Sequence, residues 1–409
     1  MLLGAAGTSA PRAEIAPGPE AFALRGFGSL IATKTSDERV GWRVQNQPIE
    51  QARHQAGEWS LGPESVLGVQ ADLYPQSQLA ATLQVLAMNR DHGHGEAAVE
   101  LAFLRYRFAP EWQLRLGRIW TPSFLNSETR YVGYANTTIR NTNYTLYQIT
   151  NLDGGDLRWQ RRLASGNLTL SAYLGKNRYS LPNSASGAED FYQLPFIGGG
   201  FVAWEDRNWL LRSSYTKIEL QRRGAANASL LAVTVPALRA AAASGKCAIC
   251  ADEADKWART WTGVDYRVAT VAARYSAGAW VISGEYINRS TDGTFPDVDA
   301  FDLEINYRWR DWTPYFDYLG AWSSSNNKPV FTQPQFAALN RSYAAGHIDR
   351  TILTAGLKYD LSENFSVRAE VARIRFADPL AGVGFAPVQV GATLPENYTV
   401  TSIAVDVLF

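Results

Sequence analysis

Phe301-Asp302-Leu303-Glu304-Ile305-Asn306-Tyr307-Arg308-Trp309 alternates apolar and polar residues without a break. At the two-residue period of an extended strand, Phe301, Leu303, Ile305, Tyr307 and Trp309 share one face. Asp302, Glu304, Asn306 and Arg308 share the other. A strand lying on a soluble core also alternates, but this one ends in aromatics and is polar or charged along its whole second face. Those traits suit a strand between lipid and a water-filled lumen. The pattern recurs: Leu168, Leu170, Ala172 and Leu174 alternate with Thr169, Ser171 and Tyr173. Val264, Tyr266 and Val268 alternate with Asp265 and Arg267, and Leu353, Ala355, Leu357 and Tyr359 with Thr354, Gly356, Lys358 and Asp360. Further runs fall near 65–74, 78–90, 97–108, 112–120, 209–220, 279–290 and 365–376, with weaker ones at 22–34, 155–163 and 192–204. The expected class is all-β: a transmembrane antiparallel β-barrel of about sixteen strands.

The connections support the same class. Short polar turns (Pro75-Gln76-Ser77, Ala109-Pro110-Glu111, Glu205-Asp206-Arg207-Asn208, Arg310-Asp311, Ser362-Glu363-Asn364) alternate with long stretches near 35–64, 121–154, 221–258, 323–347 and 377–395. Short periplasmic turns on one rim and long extracellular loops on the other are the outer-membrane arrangement. Trp112, Trp204, Trp209, Trp309 and Trp312 flank the short turns, as an interfacial girdle requires. The chain stops on an alternating segment with Ile403, Val405, Val407 and Phe409 on one face. A last strand there lets the sheet close, and an open edge in lipid costs several kcal/mol per unpaired backbone group.

Composition narrows the function. The 409 residues carry 39 basic and 39 acidic side chains, so no basic field recommends nucleic acid as a partner. No run reaches the roughly 18 apolar residues of a membrane-spanning helix. Residues 1–21 read as a signal remnant or a disordered leader, and 22–409 as a single barrel domain. Cys247 and Cys250 form a CxxC pair. Zinc needs two more ligands, a redox motif needs a βαβ setting, and a local structural disulfide is the expectation. Histidines are scarce (His54, His92, His94 and His347), and His92 and His94 sit in a short connection with no evident serine partner, so an enzyme is not expected, nor is a metal or cofactor. A soluble lectin or propeller conflicts with large apolar residues on one face of strand after strand. Ser229–Ala243 is expected to form a short helix that Pro236 interrupts.

Leu114-Arg115-Leu116-Gly117-Arg118, followed by Thr121-Pro122-Ser123-Phe124 and a long loop, resembles the Gram-negative outer-membrane porins, which carry Leu-x-x-Gly-Arg before their third extracellular loop. Ile119 stands where many of them have glutamine. The terminal phenylalanine also resembles their C-terminal insertion signature. The resemblance implies a sixteen-stranded homotrimer, with outer-membrane lipid, lipopolysaccharide and small hydrophilic solutes as partners. It implies further that loop 3, within 121–154, folds into the lumen, where Glu128, Arg130, Tyr134 and Arg140 form a wet constriction. A lid over the rim is the other reading of this loop.

By strand parity Arg105, Arg107, Arg115, Arg158 and Arg368 face the lumen. Arg373 joins them if a bulge near Ala372 shifts the register, and Arg118 if a bulge turns it inward. Asp72, Asp156, Asp265, Glu285, Asp302, Glu304 and Glu370 are assigned inward by the same rule. An arginine wall favours anions. The function expected is a passive diffusion channel with weak anion preference. The runner-up is a substrate-specific channel for an organic acid, a sugar or phosphate.

Overall fold

The computed structural model describes residues 21–43, 55–89, 95–146, 149–182, 189–223, 225–324, 330–377 and 394–409. The leader, apart from its last residue, and three of the histidines (His54, His92, His94) lie outside them. Alternation has produced strands. The first eight are β1 (Phe22–Thr35), β2 (Val66–Gln76), β3 (Leu79–Asn89), β4 (Gly95–Ala109), β5 (Trp112–Trp120), β6 (Asn151–Leu163), β7 (Gly166–Pro182) and β8 (Glu189–Glu205). The others are β9 (Trp209–Arg223), β10 (Val264–Ala277), β11 (Trp280–Thr291), β12 (Val298–Tyr307), β13 (Trp312–Ser323), β14 (Asp349–Ser362), β15 (Phe365–Phe376) and β16 (Asn397–Leu408). Each pairs antiparallel with its sequence neighbours, and β1 pairs with β16, closing the barrel. Phe409 completes the seam by donating its N–H to Gly26 O at 3.0 Å and accepting from Gly26 N at 2.6 Å.

Burial is inverted relative to a soluble protein. Leu24, Leu30, Leu67, Leu116, Leu174 and Leu353 are exposed on the outer wall. Ser29, Asp72, Arg115, Asp156, Glu285, Asp302, Arg368 and Asp406 are buried within. A closed barrel whose outer wall is apolar has its solvent on the inside. At the short-turn rim, register partners on neighbouring strands place aromatic rings together: Trp112 with Trp159, Trp209 with Tyr275, Trp280 with Tyr307, and Trp312 with Tyr359. Their centroids lie 6.4, 4.6, 4.7 and 4.2 Å apart. This is the girdle expected from the tryptophan spacing.

Near the long-loop rim the alternation changes meaning, and two site expectations are corrected. The ladder runs unbroken from Ser366 to Arg375; the irregularity lies at Asp360/Ser362, not at Ala372. Arg373 therefore faces outward with Ala369 and Val371, while Ile374 and Phe376 are buried inside. Arg118 likewise shares the outer face of Leu116 and pairs with Asp153 across the β5–β6 ladder. Asp265 also lies outside, beside Lys217 at 2.9 Å, and Val264 and Val268 point in. The physical reason is length. A tilted strand needs about 9–11 residues to cross hydrocarbon, whereas β10 has 14 and β7 has 17. Past the hydrocarbon the outer wall meets polar surroundings. The inner wall there meets inserted loops and becomes an ordinary apolar core.

Gly117 serves this geometry. Its φ is +132°, and a Cβ would stand 2.2 Å from Ala102 O and 2.8 Å from the Phe103 Cα. Gly117→Ala is expected to destabilise the barrel by about 2 kcal/mol or more, read from urea unfolding in vesicles. A loss below a few tenths of a kcal/mol would refute the close approach.

Among the described residues, helices appear only in the loops. α1 (Ala225–Ala243) carries Pro236 inside it rather than ending there. α2 (Cys250–Thr262) occupies residues expected to be irregular, and α3 (Ala337–Gly346) lies between β13 and β14. Val235, Leu238, Trp257, Phe331, Phe336 and Tyr343 form one small core beneath them. Cys247 and Cys250 are joined by a disulfide at the start of α2, and Tyr343 donates to Glu253. The stretch between β9 and β10 thus packs on the one between β13 and β14 as a helical cap.

Candidate functional site: the inserted loop and the lumen

The connection between β5 and β6 holds together at its neck, where Thr121 N donates to Thr150 O at 2.9 Å. β6 begins at Asn151, so the loop is shorter than the expected 121–154. Its first residues dock on β9 and β10. Ser123 Oγ meets Thr216 Oγ1 at 2.8 Å, and Ser214 and Thr270 both donate to Ser123 O. Phe124, 1% exposed, stacks on Tyr144 at 4.5 Å within an apolar cluster that includes Ile119, Leu152, Val268 and Ile287.

The loop then crosses the barrel. Leu125 N and Tyr144 Oη both donate to Glu285, each at 2.9 Å. Burial, with Glu285 and Asp302 alongside, pushes the Tyr144 hydroxyl far above its ordinary pKa and keeps it a donor. Gly133 reaches the opposite wall, where a side chain would collide with Asp406, Ser29 and Arg368. Tyr134 donates to Ser362 O at 3.1 Å, and Lys358 donates to Tyr134 O at 2.6 Å. The return path runs along β15, β12 and β13: Ile139 N to Glu370 at 3.0 Å, Asn141 to Asp302, and Asn143 to Phe301 O. A loop anchored on both sides of the barrel lies inside it, which removes the rim-lid reading.

The expected site residues separate by role. Arg115 holds Asp156 through two bonds of 2.8 and 2.7 Å. Arg105 is its half-buried register partner on β4. Arg107 stands exposed nearer the short turn. Arg158 donates to Glu128 at 2.9 Å, and Arg115 approaches the same carboxylate at 3.8 Å. Burial alone would raise the Glu128 pKa, but Arg158 and Arg115 outweigh it and hold it at about 2. Arg130 lies over the Tyr131 and Tyr144 rings at 5.5 and 5.8 Å. Arg140 is buried against Glu64 and Glu370, and Arg368 is buried against Asp406.

Because the folded pKa of Glu128 lies below its usual 4.5, its bridge stabilises the loop fully above pH 4.5 and loses that effect as pH falls through about 2. Glu128→Gln channels are expected to differ from wild type in single-channel current at pH 6, and the difference to fall to about half at pH 2, where about half of the Glu128 carboxylates are protonated. A difference undiminished at pH 2 would assign it to another group.

Parity applied to more strands would have found further basic residues. Arg212 lies 4.0 Å over the Phe201 ring and donates to Pro122 O, and Arg274 donates to Asn126 at 2.7 Å. With Arg158, Arg308, Arg310 and Lys358 they line a cavity of about 870 Å³ beneath the loop. A second space of about 110 Å³, bordered by Arg130, Arg140, Arg368, Glu64 and Glu285, lies where the loop crosses. Among the described residues, no group of three or more His, Cys, Asp or Glu is arranged to hold a metal.

Fold and inserted loop define a closed antiparallel β-barrel of sixteen strands with a loop folded into its lumen, an architecture that matches outer-membrane barrels. No protein-family model matches the chain, and no curated protein matches it. Solved structures do. OmpT of Vibrio cholerae, an outer-membrane protein, aligns with TM-score 0.52 and 12% identity over 97% of this chain and all of its own. OmpF of Salmonella typhi, in complex with daunomycin, aligns with TM-score 0.54 and 13% identity over 95% of this chain and 97% of its own. An anion-selective porin from Comamonas acidovorans gives 0.53 and 11%, covering 95% and 99%. At such identities the likeness is one of fold.

Proposed function

We propose that the protein is an outer-membrane diffusion channel for small hydrophilic solutes and ions, with a weak preference for anions. The observation that carries this reading is the cavity of about 870 Å³ beneath the loop, where six basic side chains meet four carboxylates. Fixed charge of one sign raises the local concentration of the opposite ion. On this reading Arg105, Arg107, Arg115 and Arg158 form the basic wall. Glu128, Arg130, Tyr134, Arg140 and Arg368 shape the constriction. Chains assemble as trimers, with solutes, outer-membrane lipid and lipopolysaccharide as partners.

The test is single-channel recording in a planar bilayer under a salt gradient. Discrete steps, with a reversal potential on the anion side, are expected. Inserted, heat-modifiable protein that gives no steps would end the open-channel reading. The space of about 110 Å³ at the crossing favours a second reading, a channel selective for an organic acid, a sugar or phosphate. Flux that saturates with one solute separates the two.

A further inference from the structure

Most arginines around the inserted loop are spent on carboxylates: Arg115 on Asp156, Arg158 on Glu128, Arg140 on Glu64 and Glu370, and Arg368 on Asp406. Arg130 is not. Among the described residues it makes no hydrogen bond or ion pair, and its guanidinium lies over the Tyr131 and Tyr144 rings at 5.5 and 5.8 Å. Both rings are fixed. Tyr131 packs on Trp120 in the apolar cluster of Val66 and Met88, while Tyr144 stacks on Phe124 and donates to Glu285. Arg130 thus stands half-buried in the wall of the space of about 110 Å³ at the crossing, with its N–H donors unspent.

The rest of that wall is of two kinds. Val66 and Met88 are register partners on β2 and β3, Ile31 adjoins them on β1, and all of these are buried. Glu285, Asp302 and Glu304 come from β11 and β12, on the other side of the barrel. Their carboxylates already accept from Leu125 N and Tyr144, from Asn141, and from Thr138 and Asn306 respectively. We propose that Arg130 heads a binding site for a small monocarboxylate with an apolar body, an aromatic acid of the size of benzoate. The planar fork of Arg130 takes the carboxylate through two parallel bonds. The body lies on Ile31, Val66 and Met88. A dicarboxylate or a phosphate brings further negative charge towards Glu285, Asp302 and Glu304, which repel it. A sugar needs a polar partner for each hydroxyl, and the apolar wall offers none. The inference rests on the second reading above, selectivity for an organic acid, and specifies the acid.

The experiment uses the full chain reconstituted in a planar bilayer at neutral pH, with benzoate added to a chloride solution. In wild type, interruptions of the single-channel current are expected to saturate with benzoate. Neutral benzamide, succinate, inorganic phosphate and benzylammonium are each expected to be held about tenfold less tightly or worse. Arg130→Gln is expected to raise the half-saturating benzoate concentration by about tenfold or more. Arg130→Lys recovers only part of that, because it restores the charge without the fork. Val66→Thr/Met88→Gln is expected to abolish the preference for benzoate over acetate, a change of ratio that misfolding does not produce. Equal half-saturation by benzoate in wild type and Arg130→Gln would overturn the site. Saturation by succinate or phosphate but not by benzoate would overturn the apolar class while leaving a selective channel standing. Steps that no solute interrupts would overturn both.

Discussion

Asp406→Asn is expected to destabilise the barrel by about 3–5 kcal/mol, the usual consequence of leaving a buried charge without its partner. Arg368 and Asp406 have side chains 1% and 0% exposed and meet through bonds of 2.7 and 2.8 Å. Ser29 adds a donor to the carboxylate at 2.6 Å, and Arg368 reaches the inserted loop at Thr138 O, also 2.6 Å. The pair therefore joins β1, β15, β16 and the loop at the seam where the barrel closes. Asparagine keeps the shape and removes the charge, so packing loss contributes little. Urea unfolding in vesicles, followed by tryptophan fluorescence, reads the effect. Arg368→Met/Asp406→Leu is expected to recover most of the loss, since an apolar pair leaves no orphaned charge. A single-variant loss below about 1 kcal/mol would mean that lumen water already screens the pair.

How much was legible in the sequence follows from what alternation encodes. A period of two states which residues share a face, and it did so correctly from Phe301 to Tyr307 and from Leu168 to Leu174. It does not state which face is inside. That depends on the surroundings, and these change along one strand. Within the hydrocarbon, apolar means outward, so Arg115 and Arg158 were assigned inward as the structure has them. Beyond it, Val264 and Val268 pack against inserted loop residues, and apolar means inward. The errors at Asp265 and Arg373 arose there. Arg118 posed the same question in plain view: it shares parity with Leu114 and Leu116, and reading that parity literally gives its true side. The turns were legible because two-residue connections admit few sequences. The loop helices were not, because α2 is stabilised by Phe331, Phe336 and Tyr343, which lie far along the chain.

Arg274→Glu/Arg310→Glu is expected to reverse the ion preference of the channel. The cavity beneath the loop is lined by Arg158, Arg212, Arg274, Arg308, Arg310 and Lys358 against Glu128, Glu205, Glu304 and Asp360, a formal balance of six minus four, or +2. Each Arg→Glu change removes two units, so the double variant stands at −2. Arg158 is the wrong choice for this test, because it also holds Glu128 and hence the loop. Arg310 lies in the short turn after β12, and Arg274 spends one bond on Asn126. Low ionic strength sharpens the reading, since the screening length is about 10 Å at 0.1 M salt and about 30 Å at 0.01 M. The reversal potential is expected to move from the anion side to the cation side, and that of Arg274→Gln/Arg310→Gln to fall near zero. If both variants keep the wild-type sign, the cavity does not set selectivity. The choice is then made at the crossing itself, where Arg130, Arg140 and Arg368 border the smaller of the two spaces.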